Sequence, residues 1–259
     1  MDNSKKSYKI AIDIMYLPFE IHVYIISFLI NENNRNNCKD SNNYLIFLRL
    51  NKTFEIKKLI QDFFILKLNK THSLKYYYEP EFREYIDKKN INVSIWLKKQ
   101  NKIIDVYVLR NVFILNLSGC NNITNVSALG NVHELNLSWC NRITDVSALG
   151  NVYTLDLSYC NKITDVSMLG NVHTLDLYGC KNITDVSALG NVYNLDLTFC
   201  DNITDVSKLC NVHKLDLSYC NNIINISSLV NVHVLYLLGI NNITDISLLH
   251  NVDIRYTWF

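Results

Sequence analysis

The sequence holds no Cys-x-x-Cys pair, no Cys–His spacing suited to zinc, no glycine-rich phosphate loop and no Ser–His–Asp set. Neither enzyme chemistry nor a cofactor is therefore expected. No apolar run is long enough to cross a bilayer, so no membrane partner is expected. The start, Met1-Asp2-Asn3-Ser4-Lys5-Lys6, is positively charged. The apolar stretch after it is broken by Asp13 and Glu20 and offers no small-residue cleavage site. A soluble, intracellular protein is expected. Asn-x-Ser/Thr triplets such as Asn122-Ile123-Thr124 then read as products of repetition rather than glycosylation sites.

Net charge is also nearly absent, at +1, but it is unevenly spread. Residues 1–110 hold 19 Lys/Arg against 12 Asp/Glu, and residues 111–259 hold 6 against 12. The second part is acidic, which argues against nucleic acid as its ligand, because phosphate binding needs a basic surface. Eight cysteines are present, and six (Cys120, Cys140, Cys160, Cys180, Cys200, Cys220) recur at one spacing. Ile240 holds the next place in that series, so the column reads as buried small apolar groups. Cys38 falls in a polar stretch.

What the chain does have is a twenty-residue unit written seven times, from Asn111 to His250. One copy runs from Asn151 to Gly170. In the copy before it the apolar positions are Val132, Leu135, Leu137, Cys140, Ile143, Val146 and Leu149. Leu135 and Leu137 stand two apart, the period of a strand. A unit this short cannot bury its own apolar face, so the copies must stack. Glu134 to Ser138 is predicted as a short parallel strand. Leu135 and Leu137 would point inward, and Glu134, Asn136 and Ser138 would face solvent. Asp145 is placed to cap a turn over Val146–Leu149, and Gly150-Asn151 suits a left-handed or tight return.

Val132-x-x-Leu135-x-Leu137-x-x-Cys140-x-x-Ile143, followed by Thr144-Asp145, resembles the cysteine-containing leucine-rich repeat. The resemblance implies an α/β solenoid with parallel strands on a concave face. Twenty residues leave room for only a turn or a single 3₁₀ turn on the convex side. Before the full copies, Ile95, Leu97, Ile103, Val106 and Leu109 hold core columns in worn form, with Gln100 in the cysteine place. After them, Arg255 and Thr257 fall where core leucines are expected.

Upstream, Leu17-Pro18-Phe19-Glu20-Ile21 is followed by Ile25, Phe28 and Leu29. Pro18 and Glu20 suit a first helical turn, and Ile21, Ile25, Phe28 and Leu29 share one helical face. With Phe47-Leu48-Arg49-Leu50-Asn51-Lys52-Thr53-Phe54, this stretch resembles an F-box. The Asn-rich run from Asn31 to Asn43 reads as a loop. The expected organisation is an F-box-like helical domain at 1–60, a helical linker or cap at 61–90, and the solenoid at 91–259. Ile56, Leu59, Ile60, Phe63 and Phe64 have helical spacing, and Glu79-Pro80 opens a further short helix.

The two resemblances together imply a substrate-recognition subunit of a cullin–RING ubiquitin ligase. Leu17, Pro18, Glu20, Ile21, Ile25, Phe28 and Leu29 would dock a Skp-type adaptor and through it the cullin complex. The alternative is a free-standing scaffold whose helical head only caps the solenoid. Asparagine, isoleucine and lysine usage is similar to that of large DNA viruses of protists. The protein is expected in the cytoplasm or nucleus, and in the host cell's cytoplasm if it is viral.

The concave face holds the candidate partner site. Its central column reads Asn116, Asn136, Asp156, Asp176, Asp196, Asp216, Tyr236. At the strand exits stand Trp139, Tyr159, Phe199 and Tyr219, with Gly119, Gly179 and Gly239 between them. Carboxylates beside aromatics, together with Glu134, suit a protein partner with a basic surface. Duplication alone would also copy such a row. His133, His173, His213 and His233 alternate with Phe113, Tyr153 and Tyr193, which suits a packed aromatic edge rather than proton transfer.

Overall fold

Each repeat closes on itself through short turns, and the next repeat covers its apolar side. The structure, a computed structural model, describes residues 65–88, 92–240, 242–243 and 245–256. Among the described residues ten strands form one parallel sheet in chain order. They are β1 (Ile65–Lys67), β2 (Asn92–Trp96), β3 (Ile114–Asn116), β4 (Glu134–Asn136), β5 (Thr154–Asp156), β6 (Thr174–Asp176), β7 (Asn194–Asp196), β8 (Lys214–Asp216), β9 (Val234–Tyr236) and β10 (Asp253–Arg255). From β3 to β9 every residue pairs with the one twenty positions on, as in Leu135↔Leu155. The ladder runs past the strands, since Leu137 N–H donates to Asp156 O and Trp139 N–H to Ser158 O, both at 2.8 Å.

The apolar columns form one continuous core. Val132, Leu135, Leu137, Cys140, Ile143, Val146 and Leu149 are all buried, and so are their counterparts in the neighbouring repeats. Each buried Leu or Ile contributes roughly 1.5–3 kcal/mol. Between strands the chain makes successive three-residue turns. Cys140 N–H donates to Leu137 O, Ile143 N–H to Cys140 O, and Leu149 N–H to Val146 O. The back of each repeat is thin, and Ser147–Leu149 is a single 3₁₀ turn. The Asp145 carboxylate accepts the Ser147 N–H at 2.9 Å, as Asp165, Asp185, Asp205 and Asp245 do in their own repeats.

Three features differ from the sequence-based expectation. Gly150 is not left-handed: its φ and ψ are −62° and −14°. It is glycine because a Cβ there would overlap the carbonyl oxygen of Met168 on the next repeat, and Gly130, Gly170 and Gly190 stand against the same backbone wall. Cys210 and Val230 interrupt this column, and their repeats make plain turns where the glycine repeats make 3₁₀ turns. At the end of the sheet, Ile254 pairs with Leu235 and Arg255 with Tyr236. The offset is nineteen residues rather than twenty, so Ile254 enters the core column and Arg255 the solvent-facing one. A one-residue slip reverses the face of every side chain in a strand.

At the other end, Ile65–Lys67 is a strand, not helical linker, and it pairs with β2 in the register Ile65↔Asn92. This first coil is longer than the others. It holds α1 (Lys70–Tyr78), where the Asn69 side chain accepts the His72 N–H, and α2 (Pro80–Asp87), with Pro80 in its first turn. Leu66, Leu68, Tyr76 and Ile86 extend the core into it.

Cysteine gains a second role in the structure. Each Sγ–H of the column donates to a leucine carbonyl of the preceding repeat, as Cys160 does to Leu137 O at 3.1 Å. Burial pushes the Cys140 and Cys180 thiols up to about 12. A thiol reagent should therefore label Cys210, which is only partly buried, far faster than Cys160 under native conditions, with the column reacting only on unfolding. Gly150→Ala should lower stability by about 1–3 kcal/mol in chemical denaturation, because the added methyl must force adjacent repeats apart.

Candidate functional site

The open face of the sheet carries three parallel columns, spaced by the strand separation of about 4.8 Å. The register places Trp96 before Asn116 and Arg255 after Tyr236, so the central column begins and ends outside the seven clean repeats. Trp96 keeps the twenty-residue spacing but lies in the worn copy, and Arg255 is brought in by the nineteen-residue offset, so the column read from the sequence holds neither.

The expectation that the central column stands free in solvent needs correction. Asn136, Asp156, Asp176 and Asp196 are half-buried, and Asp216 is 1% exposed. Each side chain bends along its own strand to accept the N–H two residues on. Asn116 accepts from Ser118, Asn136 from Ser138, Asp156 from Ser158, Asp176 from Tyr178, Asp196 from Thr198 and Asp216 from Ser218, at 2.8–3.0 Å. This short acceptor ends the strand and turns the chain, which is a structural reason for Asn or Asp in the first six copies, Tyr236 standing in the seventh. Ser138, expected in solvent, is buried, and its hydroxyl donates to Asn136. Asn136 also donates to Asp156 across the strands at 2.5 Å.

Burial makes four carboxylates in a row costly to ionise together. Desolvation, with Asp156 and Asp196 on either side, pushes Asp176 up to about 7. Burial raises Asp196 and Asp216 as well. At the row's end the Lys214 ammonium lies 5.4 Å from the Tyr236 ring centroid, and the Arg255 guanidinium 5.7 Å from it. Arg255 donates to the Tyr236 hydroxyl at 3.1 Å and is paired with Asp253. The exposed acid lies elsewhere, at Glu134 and along the back of the repeats. There the Ser147 hydroxyl and N–H hold Asp145 below the usual carboxylate range.

The strand-entry column is a ring stack. Phe113, His133, Tyr153, His173, Tyr193, His213 and His233 lie face to face, with centroids 4.4–4.9 Å apart and planes within 19°. The exit column is a second stack, built on unusual backbone. Trp139, Tyr159, Phe199 and Tyr219 all have φ between 59° and 63°, as does Lys99 at 58°. Left-handed backbone costs a non-glycine residue roughly 1–2 kcal/mol. Trp139 stacks on Tyr159 at 4.0 Å, and Phe199 on Tyr219 at 4.5 Å. The sequence did carry a signal for this geometry. Gly119, Gly179 and Gly239 share the column, and glycine alternating with rings marks a left-handed position. The adaptor-docking residues Leu17, Pro18, Glu20, Ile21, Ile25, Phe28 and Leu29 lie outside the described residues, as does Cys38.

The state of Asp176 can be tested directly. Its folded-state value lies above that of an unfolded aspartate, so ionisation opposes folding and stability is lost as pH rises from about 4 through 7. Asp176→Asn keeps the acceptor for the Tyr178 N–H, as Asn136 does for Ser138. It should raise stability by roughly 1–3 kcal/mol at pH 8 in urea titrations, and the gain should vanish near pH 4.

A leucine-rich repeat family model matches residues 131–149. No curated protein matches the chain in sequence. Among solved structures, an internalin (inlF) from Listeria monocytogenes is 26% identical over 65% of this chain and 54% of its own, with a TM-score of 0.49. Internalin C2 of the same organism is 25% identical over 68% and 74%, at 0.42. The functional domain of InlJ, also from Listeria monocytogenes and described as including a cysteine ladder, is 20% identical over 63% and 45%, at 0.32. The chain thus spans little more than half the length of the first of these. The fold rests on the register and the buried columns. From the twenty-residue parallel register, the continuous Leu, Cys, Ile and Val columns and the matched repeat, the described residues form a leucine-rich-repeat solenoid.

Proposed function

We propose that this solenoid is a protein-binding subunit that selects a target through the open face of its sheet. The observation that carries the reading is the exit column. Trp139, Tyr159, Phe199 and Tyr219 are kept in left-handed backbone, where Gly119, Gly179 and Gly239 show that glycine would serve. Strain of this kind persists where the surroundings and a function hold it in place. Stacked rings at a surface are strong anchors for a protein partner. The net negative charge of residues 111–259 favours a partner with a basic surface, with Glu134 and the ionisable members of the central row contributing. Asp156, Asp176, Asp196 and Asp216 then act in part as structural acceptors for the turns that leave their strands.

In the finer reading the head at 1–60 is an F-box that docks a Skp-type adaptor. The chain then presents targets to a cullin–RING ubiquitin ligase in the cytoplasm or nucleus. Support comes from the Leu17-Pro18-x-Glu20-Ile21 motif and from residues 65–88, whose β1, α1 and α2 already extend and thicken the first coil. Residues 65–88 thus begin a cap ahead of the repeats. The scaffold reading, with the head as cap only, remains the alternative. In a lysate containing Skp-type adaptors, wild type should recover the adaptor. Leu17→Ala combined with Pro18→Ala should lose it while the circular dichroism of the solenoid is unchanged. Recovery of no adaptor by wild type would select the scaffold reading.

A further inference from the structure

The glycines of the exit column are not covered alike. At Gly179, with φ +67°, the place of a Cβ lies 3.0 Å from Cδ1 and Cε1 of the Tyr159 ring. The break that Gly179 leaves in the ring column is filled from within. Tyr178 stands where other repeats have Ser118, Ser138, Ser158, Thr198 and Ser218, and its ring lies 5.0 Å from Tyr159 and 5.4 Å from Phe199. Trp139, Tyr159, Tyr178, Phe199 and Tyr219 therefore form one spine, and Gly179 is buried beneath it.

At Gly119, with φ +70°, the repeat before supplies no ring. The Cγ of Lys99 lies 3.1 Å from the place of a Cβ. On the far side stands Trp139, which stacks on Tyr159 with one face and is 52% exposed. The position equivalent to Tyr178 is Ser118. It is 5% exposed, and its hydroxyl has no hydrogen-bond partner, whereas the Ser138 and Ser158 hydroxyls donate to Asn136 and Asp156. The spine is thus one ring short: the ladder sets Gly119 between Lys99 and Trp139, the Lys99 stem lies on one side of the glycine, and the indole on the other stacks only on Tyr159 and is half exposed.

We propose that the gap over Gly119, between Lys99 and Trp139, seats one aromatic side chain presented by a protein partner. The inference rests on the reading of this face as a protein-binding surface and names the chemistry of one contact. Tyr178 shows what fits over a glycine of this spine, namely a single ring packed tilted against one neighbour and edge-on against the other. Lys99 sets the charge of the seat. A neutral ring beside an ammonium is attracted to it, whereas a guanidinium, which could also stack on indole, is repelled.

The test uses the full chain labelled with 5-fluorotryptophan, whose Trp96, Trp139 and Trp258 signals are assigned by substitution. N-acetyl-tyrosine amide is the probe and N-acetyl-leucine amide the control. The tyrosine probe should shift the Trp139 signal saturably and leave Trp96 and Trp258 in place, and the leucine probe should not. Ser118→Tyr copies the arrangement at Tyr178. It should fill the seat from within and weaken the probe by about tenfold or more. Circular dichroism shows whether that variant is folded, and Trp139→Phe, read by amide shifts of Gly119 and Ser118, should retain binding if it is not. Absence of a saturable Trp139 shift, equal shifts from both probes, or an undiminished response in folded Ser118→Tyr would overturn the proposal. Because the probe is a single amino-acid amide, adaptor recovery can fail without touching this result. Probe failure beside successful adaptor recovery would remove the seat alone.

Discussion

Everything in this molecule depends on the in-register backbone ladder between repeats. A three-residue strand cannot hold itself, and a twenty-residue coil has no interior of its own. When Leu135 pairs with Leu155 and Leu155 with Leu175, the leucine, cysteine, isoleucine and valine columns close into a shared core. The same ladder fixes every solvent-facing column, because residues twenty apart must lie side by side. Stability and surface pattern thus share one cause.

That constraint explains why the polar columns are as regular as the apolar ones. The turn leaving each strand needs an acceptor for the N–H two residues on, and Asn or Asp supplies it from Asn116 to Asp216. The back turn needs another, which Asp145 and its counterparts provide. The two rows look alike in sequence but differ in burial. The first is packed between strands, and burial raises Asp176, Asp196 and Asp216. The second stands in solvent beside serine donors, and its carboxyls are lowered. Net negative charge therefore resides on the thin back and at Glu134 more than in the central row.

The stacked rings follow from the same spacing. Neighbouring repeats bring equivalent side chains to van der Waals separation, so planar groups in one column must stack or be interrupted by glycine. The entry column runs from Phe113 to His233 without interruption. The exit column is broken at Gly179 and repaired by Tyr178, and it is broken at Gly119 without repair. Those two glycines differ in two neighbours: Ser118 against Tyr178 before the glycine, and Lys99 against Tyr159 on the preceding repeat.

The fold was legible in the sequence because it is encoded by period. Leu135, Leu137, Cys140, Ile143, Val146 and Leu149 announce a stack before any coordinate is known, and so does the worn copy at Ile95 to Leu109. The aromatic exit column and the thin back were legible for the same reason. The irregular ends were not. The strand at Ile65–Lys67 is separated from β2 by two helices, and the one-residue slip that turns Ile254 inward has no local signature. Nor could the sequence decide that Gly150 answers a carbonyl on the next repeat, that Asp176 is half-buried and raised, or that Tyr178 leans over Gly179. Period fixes which residues become neighbours. Only the packed structure fixes how far apart they stand and how much water remains between them, and distance and water govern charge, strain and the room left for a partner's ring.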